Sequence, residues 1–284
     1  MNPRIDAHQH FWSLSRGDYG WLTPELEPLY RDFLPPDLEP LLGDAGIDRT
    51  VVVQAAPTVA ETRYLLDLAG SCDFIAGIVG WVDMAAGEDA AAELEELAAD
   101  GHFVGIRPML QDLPDPAWIT RPALAPVSLA LVDKGLCFDA LVRPLHLPYL
   151  LQYLERYPDL KVVVDHGAKP DIARMAWQPW ATAIANVAEH TDAYCKISGL
   201  TTEASRAQRY DDLVPYLDHL LEAFGPARLM WGSDWPVLNL AGDYTGWHRA
   251  TRKWIARLSS EERAGIEGLN AERFYGLAEN RNGG

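Results

Sequence analysis

Cysteine is scarce. The 284-residue chain carries three, Cys72, Cys137 and Cys195, with no CxxC pair among them. That excludes a disulfide-framed scaffold and a thiolate metal cluster. It points to free thiols in a reducing compartment, mostly packed in the core. Basic residues are also few: 24 Lys and Arg stand against 41 Asp and Glu, a net charge of −17. Such a chain repels phosphate backbones and anionic lipid, so nucleic acid and the membrane surface are excluded as partners. A small anionic substrate is not excluded, because one Arg or Lys reverses the field inside a pocket. No apolar run approaches the length that spans a bilayer. Met1-Asn2-Pro3-Arg4 leads straight into Ile5-Asp6-Ala7-His8, without the apolar stretch of a signal peptide. The expected location is the cytoplasm. No GxGxxG follows any strand-like run, which removes the commonest dinucleotide-binding reading.

What is present is a regular alternation. Hydrophobic residues make up 48% of the chain and charged residues 23%, an ordinary balance for a globular protein able to bury a large core. Eight short apolar runs recur, over residues 4–8, 50–54, 74–82, 103–109, 136–142, 161–166, 193–198 and 228–233. Val51-Val52-Val53 and Val162-Val163-Val164 are continuously apolar, as strands buried on both faces must be. Amphipathic stretches lie between them, over 60–69, 90–99, 144–157 and 210–224. Strand then helix, eight times, fits an open doubly wound sheet or a closed barrel, and eight units in this length favour a single-domain (β/α)8 TIM-type barrel over residues 1–284. The Pro-rich patches from Pro24 to Pro40 and from Pro108 to Pro126 read as loops, not linkers. The stretch from Phe11 to Pro40 is long for one connection and reads as a lid or a site wall. Residues 280–284 read as a frayed end.

In such a barrel the chemistry sits where strands end. The runs end in His8-Gln9-His10, Gln54, Trp81 to Asp83, Arg107, Arg143, Asp165-His166, Lys196 to Ser198, and Ser233-Asp234-Trp235. His8 and His10, two apart, put both imidazoles on one face of a strand, as metal ligands or as hydrogen-bonding groups. Asp234, alone, would read as a cap or turn residue. Beside three histidines it reads as a proton acceptor for water. Asp165 either orients His166 or packs at the strand end. Lys169 either meets a substrate oxygen or is solvated, and Glu203 reads as a helix-start acid. Trp12, Trp81 and Trp235 fall beside the expected mouth, where indoles stack on apolar sugar faces or serve as core. Trp177, Trp180 and Trp254 are assigned to helix packing, and His102, His190, His219 and His248 to surface or capping positions.

The motifs Ile5-Asp6-Ala7-His8-Gln9-His10-Phe11-Trp12, Asp165-His166-Gly167-Ala168-Lys169-Pro170, Cys195-Lys196-Ile197-Ser198-Gly199-Leu200 and Gly232-Ser233-Asp234-Trp235-Pro236-Val237 together resemble the lactonase branch of the amidohydrolase superfamily. The resemblance is greatest to its sugar lactonases, the L-fuconolactone and L-rhamnonolactone hydrolases. It runs through the closing stretch Asn270-Ala271-Glu272-Arg273-Phe274-Tyr275. It implies a TIM-type barrel that hydrolyses a cyclic ester of a small-molecule lactone. It further implies Asp234 as the base that activates water, His8, His10 and His166 around the carbonyl, and Arg107 and Lys169 on substrate oxygens. Gln54, Trp81 and Trp235 join that substrate-binding set from their places at strand ends. Relatives in this branch often carry Arg-His where this chain has Arg107-Pro108, which bears on the choice of sugar.

Two-metal members of the superfamily need a carboxylated Lys or a Glu and a further His. Arg107-Pro108-Met109 and Leu141-Val142-Arg143 supply neither. A single Zn²⁺ on His8, His10 and Asp234, with His166 nearby, remains chemically sensible. The resemblance implies that no cofactor is required, while the pocket has the donors to capture zinc. Three rivals stand beside the sugar lactonase: a metal-dependent decarboxylase of the same superfamily, a hydrolase of an aromatic-pathway lactone of pyrone or muconolactone type, and a non-catalytic carbohydrate-binding barrel. A homo-oligomer is compatible with the sequence.

Overall fold

The computed structural model describes residues 2–277; the frayed end expected over 280–284 lies outside the described residues. Eight strands form one sheet in sequence order: β1 (Ile5–Gln9), β2 (Arg49–Val53), β3 (Ile75–Gly80), β4 (Phe103–Ile106), β5 (Cys137–Ala140), β6 (Lys161–Val164), β7 (Tyr194–Ile197) and β8 (Leu229–Trp231). Each adjacent pair is parallel. The sheet closes where His10 N–H donates to Trp235 O (2.7 Å) and Asp234 N–H donates to His8 O (2.8 Å). The expected barrel is therefore the fold.

Eight helices follow the strands among the described residues: α1 (Pro35–Ala45), α2 (Val59–Ala69), α3 (Glu88–Leu97), α4 (Ala125–Lys134), α5 (Leu147–Arg156), α6 (Trp180–His190), α7 (Val214–Phe224) and α8 (Tyr244–Ile255). Their apolar stripes pack on the outer faces of the strands, so Val52, Val162 and Val164 join the large outer core. The alternate residues Val51, Val53 and Val163 fill the barrel interior with Ile5, Ala7 and Met230. Burial on both faces is why these strands read as unbroken apolar runs. Two short helices, α9 (Ser260–Ala264) and α10 (Asn270–Tyr275), complete the chain, and α10 plugs the barrel floor with Ala271, Phe274 and Tyr275. No helix among the described residues is long and apolar enough to cross a membrane.

Three expectations change. The strands end sooner than the apolar runs do, at Gly80, Ile106 and Trp231. The residues beyond, such as Arg107 and Asp234, sit on backbone already turning over the mouth. The first proline patch is only partly loop: Pro35 and Pro36 open α1, where a missing N–H costs nothing, and Pro40 lies within it. Pro126 likewise stands in the first turn of α4. His248, assigned to the surface, is buried on α8 with its ring 5.2 Å from that of Trp231. Burial pushes its pKa down to about 4.

Candidate functional site

The site begins with an irregularity in β1. Asp6 pairs with Thr50 but Gln9 with Val52, so β1 carries one extra residue between them. Such a bulge re-aims side chains. Ala7 packs in the barrel interior, yet the next residue, His8, also turns inward. Buried Asp6 fixes this segment: its Oδ1 accepts from Ser233 N–H (2.8 Å) and His8 N–H (3.2 Å), and its Oδ2 from the Tyr244 hydroxyl (3.0 Å). Burial raises the Asp6 pKa to about 6, against those hydrogen bonds.

Four of the expected residues meet at one carboxylate oxygen. Asp234 Oδ1 lies 3.4 Å from His10 Nε2, 3.7 Å from His8 Nε2 and 3.8 Å from His166 Nε2. The His8 ring sits 4.9 Å from that of His10 and 4.5 Å from that of His166. His10 Nδ1 contacts Val53 O at 2.7 Å. A carbonyl only accepts, so Nδ1 carries the proton and Nε2 turns a lone pair to the cavity. His166 Nδ1 contacts Ser198 Oγ at 2.8 Å.

Local backbone strain is concentrated here. His166 (φ 55°), Ala168 (61°), Lys169 (51°) and Asp234 (59°) all adopt the left-handed conformation that non-glycine residues avoid. Gly199 lets His166 fit: a Cβ there would lie 2.4 Å from His166 Nδ1, on a backbone with φ +62°.

The electrostatics favour an ionised aspartate among neutral imidazoles. Burial alone would raise the Asp234 pKa, but His166, His10 and Lys169 outweigh it and hold the carboxyl below its ordinary value. Burial drives His8 and His166 well below the usual histidine range and lowers His10 as well. In the same way Lys196, His166 and Arg107 overcome the burial of Asp165 and keep it low.

A cavity of about 240 Å³ opens above these groups, lined by His10, His166, Asp234, Arg107 and Lys169 from the expected set. Trp21, Ala55, Met109, Gln111, Asp112, Leu141 and Val237 complete the wall. His8 is buried beneath the cavity and does not line it, and neither do three other expected binders. Gln54 braces Arg107: its Nε2 donates to Arg107 O (2.7 Å) and its backbone carbonyl accepts from Arg107 Nη2. Trp235 packs behind the site, 6.1 Å from the Phe11 ring and 5.3 Å from that of Phe33. Trp81 is engaged through its backbone with the Thr62 hydroxyl. Arg143, which ends the fifth run, is exposed. The indole that reaches the cavity is Trp21, whose Nε1–H donates to Ala55 O (2.8 Å). It comes from the long connection read as a site wall, pinned at its base by the Trp12–Phe33 bridge. Lys169, left open by the sequence, forms an ion pair at 3.4 Å with Glu203, which stands in a turn and not at the expected helix start.

His8, His10 and Asp234 bring ligand atoms within 4.8 Å of one another, as do His8, Asp165 and His166. His10 and Asp234 suit Zn²⁺. His8 completes that donor set, with the Arg107 guanidinium 3.4 Å from its Nε2.

Comparison with known proteins gives the family. The amidohydrolase family model matches residues 5–277. An L-fucono-1,5-lactonase from Burkholderia ambifaria is 48% identical over 97% of this chain and 96% of its own length. An L-fucono-1,5-lactonase from Burkholderia multivorans is 36% identical, covering 97% of each. A crystal structure of an amidohydrolase from Burkholderia multivorans, described with bound zinc, superposes with a TM-score of 0.90 at 36% identity, over 97% of this chain and 99% of that one. The chain belongs to the amidohydrolase family.

Proposed function

We propose that this protein is a lactonase that opens a sugar-acid lactone, L-fucono-1,5-lactone or a related aldonolactone, by adding water to the ring ester. The observation that carries this reading is the meeting of three imidazole nitrogens at one ionised carboxylate oxygen, under a cavity of sugar size. The similarity to two L-fucono-1,5-lactonases over nearly the whole chain supports the substrate class.

The chemistry follows from which atoms accept and which donate. Asp234 Oδ1 and His10 Nε2 are both acceptors, and they stand 3.4 Å apart. A water that donates one hydrogen to each satisfies both and turns an oxygen lone pair toward the cavity. Asp234 takes the proton as this oxygen bonds to the lactone carbonyl carbon. The growing oxyanion is held by Arg107 and by the imidazoles of His8 and His166. When the tetrahedral intermediate collapses, the ring C–O bond breaks and the proton on Asp234 passes to the departing ring oxygen, giving a hydroxy acid. His10, expected among the oxyanion donors, is reassigned to the water side because its lone pair, not its proton, faces the cavity. A lactone is an activated ester, and preorganised donors contribute about 3–4 kcal/mol each. The scheme therefore requires no metal.

The wall also bears on substrate charge. Of its two cations, Lys169 is paired with Glu203, and Arg107 lies 3.8 Å from Asp165. That leaves little net positive charge for a dicarboxylate, whereas the Lys169–Glu203 pair offers both a donor and an acceptor to ring hydroxyls. A neutral polyhydroxy lactone fits better than an aromatic-pathway one.

The test is a pH-indicator screen of L-fucono-, L-rhamnono-, L-galactono- and D-arabinono-lactones against the spontaneous rate, with and without chelator. Hydrolysis of at least one that survives chelator is expected. No hydrolysis of any, with or without added Zn²⁺, overturns the reading.

A further inference from the structure

Beneath the four residues of the site lies a buried ion cluster that the scheme above does not use. Lys196, in the middle of β7, is fully buried inside the barrel. Its ammonium has three N–H donors and three acceptors in reach: Asp139 Oδ2 at 2.5 Å, His8 Nδ1 at 3.0 Å and Asp165 Oδ1 at 3.2 Å. Asp139, on β5, also accepts from the Tyr275 hydroxyl of α10, at 3.0 and 2.9 Å from its two oxygens. The cluster thus ties the barrel floor to the underside of His8.

We infer that Lys196 is a positioning residue: its ammonium fixes the tautomer of His8, so that His8 turns Nε2–H toward Asp234 and Arg107 at the base of the cavity, while His10 presents a lone pair. Its role in turnover rests on the lactonase reading; the tautomer does not.

A lysine ammonium cannot accept, so a hydrogen bond to His8 Nδ1 requires a lone pair there and the ring proton on Nε2. Two contacts favour the other tautomer. Asp165 Oδ1 lies 3.3 Å from His8 Nδ1, and Arg107 Nη1 lies 3.4 Å from His8 Nε2. Both are longer than the 3.0 Å lysine contact. With the proton on Nδ1, an N–H would point at the ammonium and one ammonium hydrogen would be left without a partner in the dry interior, which is costly. With the proton on Nε2, the ammonium donates to Asp139 Oδ2 and His8 Nδ1 and keeps its ion pair with Asp165 Oδ1. The Arg107 guanidinium and the His8 N–H then face the same region, where both can donate to one oxygen. Two histidines two residues apart thereby carry opposite tautomers, one set by Lys196 and the other by Val53 O. One serves the oxyanion and the other the water.

The experiment uses protein labelled with ¹⁵N at histidine, in which long-range ¹H–¹⁵N correlations distinguish the two tautomers. His8 signals are assigned by their loss in His8→Gln. Wild type is expected to show His8 protonated at Nε2. In Lys196→Met the proton moves to Nδ1, toward Asp165. The same variant is expected to lose about 10²-fold in kcat, the effect of one oxyanion donor, with KM within about twofold. Should Lys196→Met not fold, Lys196→Met with Asp139→Asn removes the stranded carboxylate as well and is read in the same way. A wild-type His8 protonated at Nδ1 overturns the inference, whatever the variants do. So does a folded Lys196 variant that keeps the Nε2 proton and its kcat. If no lactone is hydrolysed, the lactonase reading fails, while the wild-type spectrum still decides the tautomer.

Discussion

At the scale of single residues, the site divides into groups that sequence reading finds and groups it passes over. His8, His10, His166 and Asp234 are found because each closes or directly follows an apolar run, at the end of the barrel where chemistry is expected. Asp139 is passed over because it lies within such a run, and Lys196, named at the end of the seventh run, is given no role. A signal was there: Cys137-Phe138-Asp139-Ala140 and Tyr194-Cys195-Lys196-Ile197 each hold one charge, of opposite sign, in strands buried on both faces. Charges in that setting persist only if paired. The residue scale also fixes the pH response. The working form has Asp234 ionised and the imidazoles neutral. Asp234 sits below its ordinary pKa and all three histidines below theirs, so this form persists as pH falls through 6.5. The acid limb of kcat/KM is expected below the usual histidine range; a limb centred near pH 6.5 would contradict these assignments. The same shifts act on stability. Histidines depressed in the folded state stabilise it above pH 6.5, and that contribution fades as pH falls toward their folded values.

At the scale of elements, the loops that leave the strands hold the site in shape. The left-handed turn at His166 is accommodated by Gly199 at the end of β7, where a methyl group would collide with the imidazole. Gly199→Ala is expected to lower kcat by about 10²-fold through misplacement of His166, measurable beside a far-UV spectrum that stays native. The loop after β2 is held by Glu61 on α2, whose buried carboxylate accepts from Ala55 N–H (3.0 Å) and Ala56 N–H (2.7 Å). Burial raises its pKa to about 7 even so. Glu61→Ala leaves both buried donors unpaired and is expected to cost about 2–4 kcal/mol in denaturant unfolding. Element boundaries were less legible than element order. The apolar runs continue past the last ladder pair, because the residues that turn over the mouth are themselves buried. The bulge in β1 was not legible at all, since it depends on pairing with β2.

At the scale of the whole molecule, eight alternating units in 284 residues pointed to the barrel. Closure itself, made by Trp235 and Asp234 against β1, depends on pairing across the full length of the chain and leaves no local mark. The two ends of the barrel have separate duties, the floor stability and the mouth chemistry. Phe274, on the floor plug, is buried against Tyr194 with ring centroids 4.9 Å apart. Phe274→Ala is expected to lose about 3–5 kcal/mol of stability with kcat per folded molecule unchanged, checked by chemical unfolding beside active-site kinetics. The central claim, that Asp234 moves the proton in lactone opening, is tested most directly by kcat of Asp234→Asn on the lactone that wild type hydrolyses. A loss of about 10³-fold or more in a folded protein, with the spontaneous rate subtracted, is the expected result. Near-normal turnover by the asparagine variant would contradict it.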